Sequence, residues 1–175
     1  MRGENDDELA AFARRWARTN VEVRFIEWMP FQANDWSAGK LVSYEAMLAA
    51  LRGSLAPGET LAQHADDASD PSDTTRWWRL DGDTKLGFIT SMTDHFCGGC
   101  NRVRVTADGT LKTCLFGRDA LSLRDALRSG ASDADLALAV HGALQKKHFK
   151  HGGHGGAEDI AVHASENRHM VHIGG

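Results

Sequence analysis

"FCGGCNRVRVTADGTLKTCLFG", residues Phe96 to Gly117, holds all three cysteines of the chain. Their spacing is Cys97-x2-Cys100-x13-Cys114. A C-x-x-C turn delivers two sulfurs to one centre, and the third must return from a distance. The intervening residues explain how it returns. Arg102 to Thr106 and Leu111 to Leu115 alternate as strands around Asp108-Gly109, a hairpin signal. Register decides what shares a face, because a one-residue slip flips every side chain. A two-residue Asp-Gly loop pairs Cys114 with Val103. A three-residue Ala-Asp-Gly loop, with Gly109 left-handed, pairs Cys114 with Arg102 and Lys112 with Arg104. The second register is expected, since it assembles Arg102, Arg104 and Cys114 on one face.

Three thiolates leave one coordination position open. Zinc would complete a Cys3His set with His95 or a histidine of the tail. A 4Fe–4S cluster would take three cysteines and keep one iron available. Two guanidiniums one strand-step apart suit an anionic, phosphate-like ligand, and they offset the charge of a thiolate-bound cluster.

The remainder of the chain bounds these readings. Its 175 residues are 42% hydrophobic and 25% charged, ordinary globular values that suffice for a core. The net charge of −4 argues against a duplex-binding surface, so no nucleic-acid partner is expected. No apolar run approaches the about 18 residues of a membrane span. The N-terminus lacks a leader pattern, and the odd cysteine count argues against a secreted disulfide framework. The expectation is a cytoplasmic protein without a membrane partner.

Outward from the cysteines, Met1 to Thr19 is expected to approach and form a helix, capped at Asn5 or Asp6, with Leu9, Phe12, Ala13 and Trp16 as its apolar stripe. "VEVRFIEWMP", Val21 to Pro30, is expected to be a buried strand carrying Arg24 and Glu27. Glu27 is read evenly as a site carboxylate or as a buried acid paired with arginine. A helix is expected over Ser43 to Leu51, capped by Ser43. Ala56 to Thr75 reads as a mobile polar connection. Strands are expected at Arg76, Leu86, Arg102 and Leu111, mutually antiparallel. Helices are expected over Ser122 to Arg128 and Ser132 to Lys147, the latter with a stripe through Leu136, Ala139, Val140 and Leu144. The Gly- and His-rich tail from His148 reads as flexible rather than metal-binding, although His148, His151 and His154 recur every third residue. Trp77 and Trp78 read as packing residues before base-stacking ones. Arg124, Arg128, Lys146 and Lys147 read as solvated helix faces.

The stretch "FITSMTDHFCGGCNRVRVTADGTLKTCLFG" closely resembles the second-cluster motif of the molybdenum cofactor biosynthesis protein A family, the GTP 3′,8-cyclases. These are radical S-adenosylmethionine enzymes with two 4Fe–4S clusters. The likeness extends through "MRGENDDEL", "VEVRFIEWMP" and the terminal "MVHIGG". The resemblance implies that Cys97, Cys100 and Cys114 ligate a 4Fe–4S cluster whose open iron meets the guanine of GTP. It implies that Arg102, Val103 and Arg104 bind GTP, with Arg24 toward the substrate. Met29 would lie against S-adenosylmethionine, and Gly174 and Gly175 would form a tail lining the active site. The implied reaction begins when a 5′-deoxyadenosyl radical takes the 3′ hydrogen of GTP, after which the carbon radical attacks C8.

The C-x3-C-x-x-C motif of the first cluster is absent from the 175 residues. The resemblance is therefore to the C-terminal half, which is not expected to be active alone. The implied fold is α/β: residues 1–55 ending an incomplete βα (TIM-like) barrel, 56–75 a polar connection, and 76–175 an antiparallel sheet with helices that carries the cluster and GTP. Implied partners are the missing N-terminal radical half, as part of one protein or as a separate chain, the pyranopterin synthase acting next, and a second copy as a homodimer. The competing expectations are a non-catalytic module holding zinc or an iron–sulfur group, and an unstable truncated product whose strand Val21 to Met29 lies unpaired.

Overall fold

The computed structural model describes residues 1–63, 70 and 72–173. Two compact units divide it: Met1–Met29 with Ser37–Cys100, and Pro30–Trp36 with Asn101–Gly175. The fold is mixed α/β, with a mixed sheet in the first unit and an antiparallel sheet in the second.

The first unit opens with helix α1, Leu9–Arg15. Its capping residue is Glu8, which makes no side-chain cap bond. Asn5 and Asp6 do not cap the helix as expected. They close the turn before it, Asn5 accepting from the terminal amine and Asp6 Oδ1 from the Gly3 N–H at 2.7 Å. Leu9 and Ala13 are buried, but Phe12 and Trp16 are exposed. Strand β1, Val23–Ile26, buries only Val23. The expected buried strand is thus an edge strand. Helix α2, Tyr44–Gly53, starts where expected, the Ser43 hydroxyl accepting from the Ala46 N–H at 3.2 Å.

Strands β2 (Leu61–Ala62), β3 (Thr75–Leu80) and β4 (Thr84–Ile89) complete this sheet, in the order β1-β4-β3-β2. β2 lies inside the expected polar connection. The rest of that connection, residues 64–69 and 71, lies outside the described residues. β3 and β4 are antiparallel, as expected, while β1 runs parallel to β4 with Val23 opposite Leu86 and Ile26 opposite Ile89.

Trp77 and Trp78 show how β3 is used on both faces. Trp78 joins Val23, Leu48, Leu51, Leu86 and Phe88 in the apolar core, its indole N–H donating to the Tyr44 hydroxyl at 2.9 Å. Full burial of side chains such as Leu86 and Phe88 is worth about 1.5–3 kcal/mol each. Trp77 lies on the opposite face beneath Arg24 and Lys85, 4.8 and 4.2 Å from its ring centre. Its cross-strand neighbour is Gly87, where an added Cβ would sit 2.5 Å from Thr75 Cγ2 and 2.9 Å from the Trp77 ring. Glycine there makes room for the tryptophan. Both indoles serve packing.

The second unit carries β5 (Arg104–Val105), β6 (Thr110–Lys112) and β7 (Leu121–Ser122), antiparallel in that order. Helices α3 (Leu123–Arg128) and α4 (Asp133–Gln145) follow, capped by Ser122 and by a Ser132–Asp135 capping box. Leu136, Ala139 and Val140 are half-buried, and Leu144 is exposed.

The tail differs from expectation. Residues 151–153 form a 3-10 turn, and Ala157–Val162 form helix α5. Ala157, Ile160 and Ile173 are buried. His151 is 3% exposed and packs edge-on against Phe116, their ring centres 6.0 Å apart. The glycines enable this fold rather than loosen it. Gly152, at φ +68°, lies where a Cβ would meet the Gly117 nitrogen at 2.7 Å. Among the described residues no helix is long and apolar enough to cross a membrane.

Candidate functional site

The register of the cysteine hairpin is the three-residue-loop register. Arg104 pairs with Lys112 and Val105 with Leu111. The Gly109 N–H donates to the Thr106 carbonyl at 2.8 Å, closing a turn, and Gly109 has φ +77°. The Thr106 N–H then donates to the Thr110 carbonyl at 2.9 Å. A type I turn followed by a left-handed glycine produces this geometry. The Gly109 carbonyl also accepts from the Leu123 and Arg124 N–H groups, tying the loop to the start of α3. Regular pairing stops at Arg104–Lys112.

The hairpin's alternation is inverted relative to an ordinary exposed strand. Val103 and Val105 are 44% and 58% exposed, whereas Arg102 and Arg104 are half-buried. Arg102 Nη1 is buried and has no hydrogen-bond partner. A buried guanidinium nitrogen without an acceptor is costly unless a ligand supplies one. The Arg102 carbonyl accepts from Lys147 Nζ at 3.1 Å, so Lys147 braces this strand instead of lying on a solvated face.

Lys112 joins the arginines. It is fully buried, opposite Arg104. Its ammonium donates to the Gly117 carbonyl, to Asn167 Oδ1 at 2.8 Å and to Asp119 Oδ1 at 3.5 Å. Burial lowers its pKa, which Asp119 partly offsets. Asn167 returns a bond to the Leu115 carbonyl at 2.9 Å. The next residue, Arg168, spreads its guanidinium over Asp119 at 2.6 Å, Asp108 at 2.8 Å and Thr110 at 3.2 Å. Hydrogen bonds from Thr106 and Arg168 hold the Asp108 carboxyl well below the usual carboxylate range. Asn167 and Arg168 thus fasten the terminal segment to the hairpin, and buried Ile173 holds it just before its end. Gly174 and Gly175 lie outside the described residues. The sequence reading did not assign Lys112, Asn167 or Arg168 to the site. A lysine opposite a half-buried arginine was the available signal.

In the first unit, Cys97 and Cys100 bracket a single 3-10 turn, with the Cys100 N–H donating to the Cys97 carbonyl at 3.2 Å. All three cysteines of the chain are reduced and half-buried. The loop leading to this turn is held by Glu27, which is 1% exposed. Its carboxylate accepts from the backbone N–H groups of Met92 at 2.7 Å, Thr93 at 2.8 Å and Tyr44 at 2.8 Å, and from the Thr93 hydroxyl. Glu27 therefore joins the end of β1, the start of α2 and the loop after β4. Its partners are these N–H and hydroxyl donors, not the arginine that one reading of the sequence offered.

Arg24, on β1, pairs with Glu22 at 2.9 Å and lines a cavity of about 330 Å³ with Phe12, Phe25, Trp28 and Met47. Met29 is half-buried just before Pro30.

The donors have the chemistry of cluster ligands: two cysteine sulfurs on one turn of the first unit and a third beside the hairpin of the second, none in a disulfide.

Comparison with known proteins gives a consistent result. A family model described as Molybdenum Cofactor Synthesis C matches residues 21–153. The chain is 43% identical over 176 residues to the mitochondrial GTP 3′,8-cyclase of Arabidopsis thaliana, all of this chain and 42% of that protein. It is 41% identical over 174 residues to molybdenum cofactor biosynthesis protein 1 of Homo sapiens, 99% of this chain and 26% of that protein. It is 36% identical over 177 residues to the GTP 3′,8-cyclase of Desulforamulus reducens, all of this chain and 51% of that protein. The chain thus spans between a quarter and a half of the length of these relatives.

Proposed function

The chain belongs to the Molybdenum Cofactor Synthesis C family, and from that premise we propose that it is the GTP-holding C-terminal portion of a GTP 3′,8-cyclase, acting in the first step of molybdenum cofactor biosynthesis. Cys97, Cys100 and Cys114 hold a 4Fe–4S cluster. When bound, that cluster supplies one iron without a protein ligand, open to a donor atom of the guanine.

The residues of the chain bind and orient. Arg102 and Arg104 grip the triphosphate, where charge-assisted bonds are strongest, and Val103 contributes backbone between them. Lys112 adds positive charge behind them and fixes the Gly117 carbonyl. Arg24 faces the substrate from β1, and Met29 meets S-adenosylmethionine. Gly174 and Gly175 line the cavity, and the Asn167–Arg168 anchor limits where that tail can reach. Fixed donors of this kind lower the reorganisation needed as the substrate reacts.

Residues 1–55 complete a βα barrel whose earlier strands lie in an N-terminal radical half. That half, in one protein or as a separate chain, binds most of the S-adenosylmethionine, so this chain is inactive without it. Residues 76–175 present the cluster and GTP, and the product passes to a pyranopterin synthase. The setting is the cytoplasm, and the assembly is a homodimer.

The observation that carries this reading is the hairpin register, with Arg104 opposite Lys112. It puts half-buried Arg104 beside buried Lys112 and leaves Val105 exposed. Anaerobic reconstitution with iron and sulfide tests it. About four irons per chain are expected, lost in Cys114→Ala. One zinc and no iron would overturn the cluster and leave the cysteines as a structural clip.

A further inference from the structure

His154, Asp159 and His163 lie around α5 and face one another. Their ligand atoms fall within 4.8 Å of each other. His163 Nδ1 is 3.0 Å from Asp159 Oδ1 and 2.9 Å from the Asp159 backbone carbonyl, a hydrogen bond that an ion at Nδ1 would displace, and His154 Nδ1 is 3.6 Å from Asp159 Oδ2. The two imidazoles lie side by side, ring centres 5.5 Å apart and inclined by 32°. Ligands about 2 Å from a tetrahedral ion stand roughly 3.3 Å from one another. The two nitrogen–carboxylate distances bracket that spacing.

The scaffold is set by the fold. Asp159 Oδ2 accepts from the Gly155 N–H at 2.8 Å, which fixes the carboxylate relative to His154. His163 lies four residues on, directly after α5, and its N–H donates to the Asp159 carbonyl at 3.2 Å. Buried Ala157 and Ile160 anchor the helix from its other side. All three side chains remain partly accessible, at 22%, 43% and 40% exposure, so an ion can enter. The Glu166 carboxylate adds negative charge near both histidines.

We infer that His154, Asp159 and His163 form a transition-metal site, separate from the cysteines, which takes zinc or a similar borderline ion. Two imidazoles and one carboxylate favour such ions over calcium or magnesium, which prefer all-oxygen sets. Three protein ligands leave a fourth position for water. The site closes the Gly- and His-rich segment between α4 and Asn167, so an ion there would stiffen the element that leads to the terminal tail.

Cobalt(II) separates this site from the cysteines, because thiolate ligation gives intense near-ultraviolet charge-transfer bands and nitrogen–oxygen ligation gives only weak visible bands. Titration of the full chain with cobalt, then displacement by zinc, should reveal one equivalent with the weak bands alone. Asp159→Asn, which keeps an acceptor for Gly155, and His163→Ala should each weaken that equivalent at least roughly tenfold. Both should leave circular dichroism unchanged. His141→Ala, on the exposed face of α4, should leave binding as it was. Absence of a thiolate-free equivalent would overturn the site and leave the trio as a hydrogen-bonded cluster. Unchanged affinity in Asp159→Asn and His163→Ala, or an equal loss in His141→Ala, would do the same.

Discussion

The two units are held together by opposite means. In the first, Leu9, Val23, Leu48, Leu51, Trp78, Leu80, Leu86 and Phe88 build one apolar core. In the second, the described buried apolar residues are Pro30, Leu111, Phe116, Ala157, Ile160 and Ile173, and no residue of α4 is buried. Ordering there comes from polar groups: buried Lys112, then Asn167, then Arg168 bridging Asp108 and Asp119. Apolar packing tolerates small displacements, whereas a buried ammonium requires its acceptors at fixed places. A unit that fixes a terminal segment against its hairpin gains from the second method.

The largest disruption expected comes from a buried polar brace of the apolar unit, Glu27. Glu27→Leu strips the acceptor from three backbone N–H groups, at about 1–3 kcal/mol each. Denaturant unfolding should show a loss of at least about 3 kcal/mol. Glu27→Gln should recover only part of it, since its amide nitrogen cannot accept.

Lys112→Met should cost about 2–4 kcal/mol, by leaving the Gly117 carbonyl without its ammonium donor and Asn167 Oδ1 with only the Arg168 N–H. Hydrogen exchange separates this from general damage: α5 amides should lose protection while β3 and β4 amides keep theirs. Equal loss in both units would erase the contrast drawn above. Gly87→Ala should cost about 1–3 kcal/mol through overpacking against Thr75 and Trp77, with protection lost chiefly in β3 and β4.

The smallest effect concerns acid. Because the Asp108 carboxyl is held below its ordinary range, its contribution to stability is complete above that range. It drains away as pH falls toward the depressed value. Melting temperature followed between about pH 5 and pH 2 should fall less steeply in Asp108→Asn than in the parent chain. Parallel slopes would mean that Arg168 contributes nothing through this carboxylate.

Local features were legible in the sequence. Ser43, Ser122 and Ser132 cap helices because a cap depends on a few neighbouring residues. The hairpin register was legible because Ala-Asp-Gly suits a three-residue loop with Gly109 left-handed. Long-range partners were not. The sequence could set Lys112 opposite Arg104, but only Asn167, far along the chain, reveals it as a buried tie. The parallel pairing of β1 with β4 is likewise non-local. Trp16 misled because α1 ends at Arg15, beyond which helical periodicity no longer assigns a face, while Phe12, within the helix, lines the open cavity beside Arg24 instead of entering the core. In the tail, repeated glycines resembled flexibility, yet Gly152 is required by close approach to Gly117.

The most direct test is a GTP titration of the anaerobically reconstituted chain, followed by absorbance and electron paramagnetic resonance of the reduced cluster. GTP should shift the cluster signal, and Arg104→Ala should weaken the half-saturating concentration by roughly tenfold or more without changing iron content. A cluster signal indifferent to GTP in the parent chain, with four irons bound, would contradict the proposal that this portion holds the substrate.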